Sequence, residues 1–178
     1  MQLNSKRLSY TALTSDDWDL FHRLHKDLDV IKYICDPLSD NQIRNKFEER
    51  LDPWHKELDS WLCMVMTEIN TGEAIGLTGF FSTWSLNKQA ELGFMLHPRH
   101  QGKGYGLEST RLVLDFAFNT CSFHKVSATV TDGNAPSFNL LLKAGLKSEG
   151  TLRENFILNG EWKDDLKLGM LKQEFMSI

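Results

Sequence analysis

Glu91-Leu92-Gly93-Phe94-Met95-Leu96, then Pro98, then Gln101-Gly102-Lys103-Gly104-Tyr105-Gly106, is the stretch that decides how this chain folds. An apolar run with strand character enters a glycine-dense turn, and helix-forming residues follow from Gly106 onward. Glycine admits positive φ and lets a ligand approach the backbone without a Cβ in the way. The first N–H groups of a helix have no intrahelical partner and lie at the positive end of its dipole. Strand, glycine turn and helix start, in that order, make a site for phosphate or pyrophosphate. Two familiar phosphate loops fail on the letters. A dinucleotide fingerprint counted from Gly102 needs a glycine where the chain has Leu107, and a P-loop needs Ser or Thr after Gly102-Lys103, where the chain has Gly104. The pattern that fits is [Gln/Arg]-x-x-Gly-x-[Gly/Ala], carried by Gln101, Gly104 and Gly106.

Outward from this stretch the periodicity predicts a β-α-α-β-β-β-α-β-α-β-β order, an α+β or mixed α/β sheet. Arg7 to Leu13 reads as a strand. Thr14 with Asp17, and Ser39 with Gln42, are capping-box starts for two helices, the first carrying Trp18, Phe21, Leu24 and Leu28, the second ending before Pro53. Trp61–Ile69 and Ala74–Trp84 form a hairpin around Asn70-Thr71-Gly72-Glu73, and Ala90–Leu96 is the next strand. A long helix from Gly106, a buried strand over Lys125–Thr131 and a helix over Pro136–Ala144 stopped by Gly145 follow. Asn159-Gly160 then joins Phe156–Leu158 to Trp162–Leu171 as a second hairpin.

The bulk properties narrow the class. With 178 residues, 41% hydrophobic and 25% charged, the chain reads as one soluble domain over 1–178, with no repeat or linker to divide it. A net charge of −4 argues against a nucleic-acid partner. Cys35, Cys63 and Cys121 are odd in number, widely spaced and without a C-x-x-C pair, the pattern of reduced thiols. The amino-terminal residues lack the apolar core of a signal peptide, and the longest apolar run, Trp61–Met66, is too short to span a bilayer. The expectation is therefore a cytoplasmic protein without a membrane partner, monomer or homodimer.

On Gln101-x-x-Gly104-x-Gly106 the chain resembles the GNAT superfamily of N-acetyltransferases. Asn134-Ala135-Pro136-Ser137, Leu140 and Gly145-Leu146 are similar to the superfamily's next motif. Glu149-Gly150, Phe156-Ile157-Leu158-Asn159-Gly160 and Asp164 resemble the RimJ/RimL-like ribosomal-protein branch and the spermidine N-acetyltransferases. The resemblance spans essentially the whole chain and is densest from Glu91 to Leu171. It implies a central, mostly antiparallel twisted sheet flanked by helices, with a splayed strand pair holding acetyl-CoA. It also implies transfer of acetyl to a primary amine by direct attack, without a metal. The acceptor it points to is a protein N-terminal α-amine, with a polyamine or other small-molecule amine as the alternative.

The same resemblance assigns roles residue by residue. Phe94, Met95 and Leu96 would offer backbone to the pantetheine arm. Gln101, Gly102, Lys103, Gly104, Tyr105 and Gly106 would hold the pyrophosphate, and Asn134 would line the arm. Glu91 is the candidate general base, against a solvent-facing strand glutamate. The superfamily's usual acid, a tyrosine seven residues after the motif asparagine, is here Leu141. Ser137 is the substitute, against a helix-start serine bonding nearby backbone. The missing tyrosine also motivates a CoA-binding regulatory protein without turnover as a rival reading. His22 and His25 share a helix face with no partner pattern for a metal, so they read as a partly exposed face. His100 flanks the glycine turn. Residues 27–59 hold nine acids against five bases, an excess equal to the whole chain's, so cationic acceptors would be steered there.

Overall fold

The structure is a computed structural model that describes residues 2–177, apart from the Leu86 side chain. Its strands are β1 (Gln2–Asn4), β2 (Leu8–Ala12), β3 (Trp61–Glu68), β4 (Ala74–Thr83), β5 (Gln89–Leu96), β6 (Lys125–Thr131), β7 (Lys147–Leu158) and β8 (Glu161–Leu171). Its helices are α1 (Trp18–Lys26), α2 (Leu28–Ile31), α3 (Asp40–Glu48), α4 (Trp84–Asn87), α5 (Tyr105–Asp115), α6 (Ala135–Ala144) and α7 (Lys172–Phe175). The strands form one eight-stranded sheet in the order β1-β2-β3-β4-β5-β6-β8-β7, and β5–β6 is its parallel pairing. The mixed α/β fold with a mostly antiparallel sheet is as the sequence predicts.

The caps set the helix starts. The Asp17 carboxylate accepts from the Thr14 amide and hydroxyl, each at 2.8 Å, ahead of α1. Gln42 accepts from the Ser39 amide at 2.9 Å at the start of α3. The helix expected to run through Leu28 stops at Lys26. Asp27 turns extended and its side chain caps α2, which leaves Leu28 exposed. The short β1, α2, α4 and α7 have no periodicity long enough to read, and β7 begins well before the predicted Phe156.

Side chains alternate across the sheet and build a core on each face. Leu62, Met64 and Met66 of β3 join Val113, Leu114 and Phe118 on the α5 side, whereas Val65 joins Phe21, Leu24 and Phe47 on the α1–α3 side. A bulge at Ile75 shifts the β3–β4 register, so Ile75 packs on the α5 side and Leu77 on the α1–α3 side. α5 ends in a wider turn over Phe116–Thr120, closed by the Cys121 N–H on the Phe116 carbonyl at 2.9 Å.

Candidate active site

The sheet opens where the glycine stretch begins. β5 and β6 pair only over Gln89–Glu91 with Lys125–Ser127. Beyond that point β5 stays on β4 as far as Leu96, and β6 stays on β8 as far as Thr131. The two strands therefore diverge, and the inner edge of β5 from Leu92 to Leu96 faces no strand. This is a V-shaped gap with Glu91 at its apex. Phe94 and Leu96 pack toward the α5-side core and Met95 toward the other, so what the edge offers the gap is backbone.

At the open end of β5 the chain turns through Pro98–His100 into the glycine loop. Gly102 and Gly104 adopt φ of +73° and +83°, a region that L side chains rarely enter. Gln101 steadies the turn by donating from Nε2 to the Leu96 carbonyl at 3.0 Å. Glu108 is the first residue of α5 whose N–H meets a helical carbonyl, that of Gly104 at 3.1 Å, so the amides of residues 105–107 point out of the helix end. On the opposite wall Asn134 caps α6, accepting from the Ser137 amide at 3.3 Å. That bond occupies the Asn134 oxygen and leaves its amide nitrogen to donate.

A cavity of about 1040 Å³ joins these parts. Glu91, Phe94, Met95, Leu96, Gln101, Gly102, Gly104, Gly106, Asn134 and Ser137 all line it. Lys103 and Tyr105 do not. Tyr105 is buried beneath the loop and donates its hydroxyl to Glu68, and Lys103 is exposed. Both belong to the loop through backbone, so the part expected of them in holding the ligand falls to their amides and not to their side chains. The Lys103 carbonyl instead accepts from Arg7 Nη1 at 2.9 Å. Arg7 also lies over the Tyr105 ring at 4.4 Å and pairs Nε with Glu108 at 2.7 Å, clamping the loop from the β1–β2 turn. No local pattern in the sequence links Arg7 to a loop nearly a hundred residues away.

Glu91 sits in a chain of side chains on its own face of the sheet. Thr129 Oγ1 donates to Glu91 Oε1 at 2.6 Å, Lys167 donates to Thr129, and Lys167 Nζ lies 3.9 Å from Glu91 Oε1. The Glu91 side chain is 44% exposed, so the carboxylate is fixed at one oxygen and open to the cavity. Leu141, in the position of the superfamily's tyrosine, is buried in the cavity wall with no proton to give.

The far arm of the cavity is walled by Phe21, His25, Tyr33, Arg50, Trp61 and Phe156. His25 is 8% exposed, stacked on Phe21 at 4.0 Å, and its Nδ1 meets the Phe21 carbonyl at 2.8 Å. It is a wall residue and not the partly exposed helix face expected, because α1 turns this edge inward. Burial holds its pKa below the ordinary histidine value. The acidity of residues 27–59 is placed differently from expectation too. Of the nine acids only Asp29 lines the cavity, beside Lys32, Lys46 and Arg50, while the others lie on outer faces.

The residues fit an acyl-CoA: a backbone edge for an extended arm, outward amides and positive-φ glycines for a pyrophosphate, and a carboxylate at the apex. Comparison with known proteins agrees. Residues 7–147 match the model of the acetyltransferase (GNAT) domain. An uncharacterized N-acetyltransferase of Bacillus licheniformis is 28% identical over 97% of both chains. A spermidine N(1)-acetyltransferase of Vibrio cholerae is 24% identical over 97% of this chain and 98% of that one. Among solved structures, a GNAT-family acetyltransferase from Bacillus anthracis superposes with a TM-score of 0.83 at 23% identity, covering 97% of this chain and 99% of that one. Spermidine N-acetyltransferase from Vibrio cholerae in complex with CoA and spermine gives 0.85 at 22% identity, with the same coverage. The chain belongs to the GNAT family and is an acetyl-CoA-dependent N-acetyltransferase.

Proposed function

We propose that this enzyme acetylates a primary amine of a small molecule, with Glu91 as general base. The observation that carries the reading is a single cavity that Glu91 lines together with the glycine loop and with the walls Phe21, His25, Arg50 and Trp61. Relatives whose names state an acceptor include spermidine N-acetyltransferases, which supports a small amine over a protein N terminus and puts polyamines on the panel of acceptors to test.

Acetyl-CoA supplies an acetyl group already activated as a thioester. The chain's own task is to present an uncharged amine to it. Removing the proton from an alkyl ammonium of pKa near 10.4 costs about 4.6 kcal/mol at pH 7, and from an α-ammonium near 7.8 about 1 kcal/mol. Glu91, anchored by Thr129 and open to the cavity, is the group positioned to take that proton. The amine nitrogen then bonds to the acetyl carbon as the carbon–sulfur bond breaks. Ser137, in the wall facing the gap, is the candidate to donate a proton to the departing sulfur. The loop amides of residues 102–106, the β5 edge at Phe94–Leu96 and Asn134 hold the cofactor.

The test is thioester consumption with a panel of polyamines, monoamines and N-terminal peptides, followed by mass spectrometry of the product. Small amines consumed ahead of peptides support the reading. Preferred acetylation of peptide α-amines would restore the protein-terminus acceptor, and retention of CoA without turnover would make this a binding protein.

A further inference from the structure

We infer that the acceptor carries an anionic group, a carboxylate or phosphate, that docks on Arg50 and Lys46 at the far end of the acceptor arm while its amine meets Glu91. The inference rests on the small-amine reading and narrows it. Arg50 follows α3 and is held in place by a bond from Nη1 to the Lys46 carbonyl at 2.7 Å. Its guanidinium lies between two rings, 5.8 Å from the centre of Phe21 and 5.4 Å from that of Trp61. Both Arg50 and Lys46 line the cavity. Among the described residues, neither has a carboxylate within 4.0 Å.

A half-buried guanidinium without an anion is costly unless something pairs with it. Two acidic groups act on Arg50: the Cys63 thiol, which burial pushes up to about 12, so it stays uncharged at neutral pH, and the solvent-exposed Glu49 carboxylate, which forms no ion pair with it. Burial lowers the Arg50 pKa, outweighing the opposing pull of Cys63 and Glu49, as expected of a cation that has lost water without a paired carboxylate. Arginine's planar fork matches carboxylate and phosphate oxygens two at a time.

Geometry links this cation to the reacting end. The Trp61 ring packs on Gly93, where an added Cβ would lie 3.0 Å from it, and Gly93 follows Glu91 by two residues on the same face of β5. Trp61 pairs with Phe81 and Phe81 with Glu91, so two strand spacings of about 4.8 Å separate the Trp61 and Glu91 backbones, and a guanidinium seated on the Trp61 ring is on the order of 10 Å from the carboxylate. A polyamine would bring a second ammonium to this cationic end, where like charges repel. An amine with an anionic tail about six carbons away would satisfy both ends at once.

Hexylamine, 6-aminohexanoate and 1,6-diaminohexane are matched in length and differ in tail charge. We expect kcat/KM for 6-aminohexanoate to exceed that of the other two at least tenfold, through KM. Arg50→Gln should collapse that ratio toward one, Arg50→Lys should keep part of it, and Lys46→Gln should reduce it if Arg50→Gln does not fold. Calorimetry of the same compounds on the CoA-loaded protein gives a readout independent of turnover. Charge-selective binding lost in Arg50→Gln, with no amine acetylated, would uphold the anion site and overturn the acetylation reading. Equal kcat/KM and equal binding for the three, or a loss in Arg50→Gln that is uniform across them, would overturn the anion site.

Discussion

The two arms of the cavity are built by different means. The cofactor arm is mainly backbone: a strand edge, two glycines at positive φ and the free amides of one helix end, within residues 92–107, with the Asn134 side chain in the opposite wall. The acceptor arm is side chain: Phe21 and His25 from α1, Arg50 from beyond α3, Trp61 from β3 and Phe156 from β7, brought together only by the fold. A site made of backbone needs a fixed local order of residues and so leaves a motif. A site made of side chains from distant elements leaves none, and can be rebuilt for a new acceptor without touching the first.

The largest effect is expected where the arms meet. Glu91→Gln removes the proton acceptor but keeps the shape and a partner for Thr129. It should lower kcat about a hundredfold at pH 7 and recover as the solution itself deprotonates the amine above pH 8. A pH–rate profile unchanged by the substitution would return Glu91 to an ordinary strand residue and leave the apex without a base. Next, Gly104→Val tests whether the cofactor arm depends on its backbone. A β-branched residue at φ +83° is strained by roughly 1–2 kcal/mol, and its Cβ would stand 3.3 Å from Arg7 Nη2. CoA affinity should fall at least tenfold by calorimetry, and a folded variant with wild-type affinity would break the comparison on that side.

Arg7 supplies the smaller test. It touches the loop from outside, through the Lys103 carbonyl and the Tyr105 ring, and it is locked to Glu108. Glu108 in turn accepts from the Arg7 amide and the Ser5 hydroxyl, each at 2.7 Å, which holds its carboxyl below the usual range despite burial. Arg7→Gln should raise KM for acetyl-CoA about threefold to fivefold without an equal change in KM for the acceptor. A loss shared by both substrates would mean that Arg7 stabilises the whole sheet and not the loop.

The same division explains what was legible in the sequence. Capping boxes at Thr14 and Ser39, the hairpin turns and the glycine loop are local signals, and each sits where its residues predict. Ten of the candidate site residues line one cavity because they belong to two continuous motifs. At Lys103 and Tyr105 the motif names positions and not side-chain directions: the Tyr105 hydroxyl turns to Glu68 and the Lys103 side chain to solvent. Arg7 and Lys167 have no local signature, since their partners lie tens of residues away, and Arg50 meets Trp61 only across the irregular chain between α3 and β3. The charge count over 27–59 does not describe the cavity wall, for a related reason. A composition records how many acids a segment holds, and the fold turns eight of the nine outward from the cavity.

His25 offers the finest distinction, because it reports whether the acceptor arm is dry. Its ring is stacked on Phe21 and bonded to the Phe21 carbonyl, and burial leads the forces that lower its pKa, with Arg50 and Lys46 adding repulsion. In the unfolded chain the ring takes up a proton near pH 6.5, while the folded protein resists it. The unfolded state therefore binds more protons below that pH, so stability is full above it and declines as pH falls, by no more than about 1.4 kcal/mol per pH unit. Carboxylates whose pKa is lowered, such as Glu108 and Glu174, act in the same direction only below their ordinary value of 4.5. The window from pH 7 to 5.5 isolates the histidines. His97, beside the glycine loop, is lowered as well, again chiefly by burial, so His97→Gln is the control for the cofactor arm. Melting temperature should fall across this window in the wild type, and the fall should become shallower in His25→Gln by more than in His97→Gln, since His25 is the more deeply buried ring. If His25→Gln retains the wild-type slope, the ring is solvated in the folded state and the acceptor arm is wetter than its walls indicate.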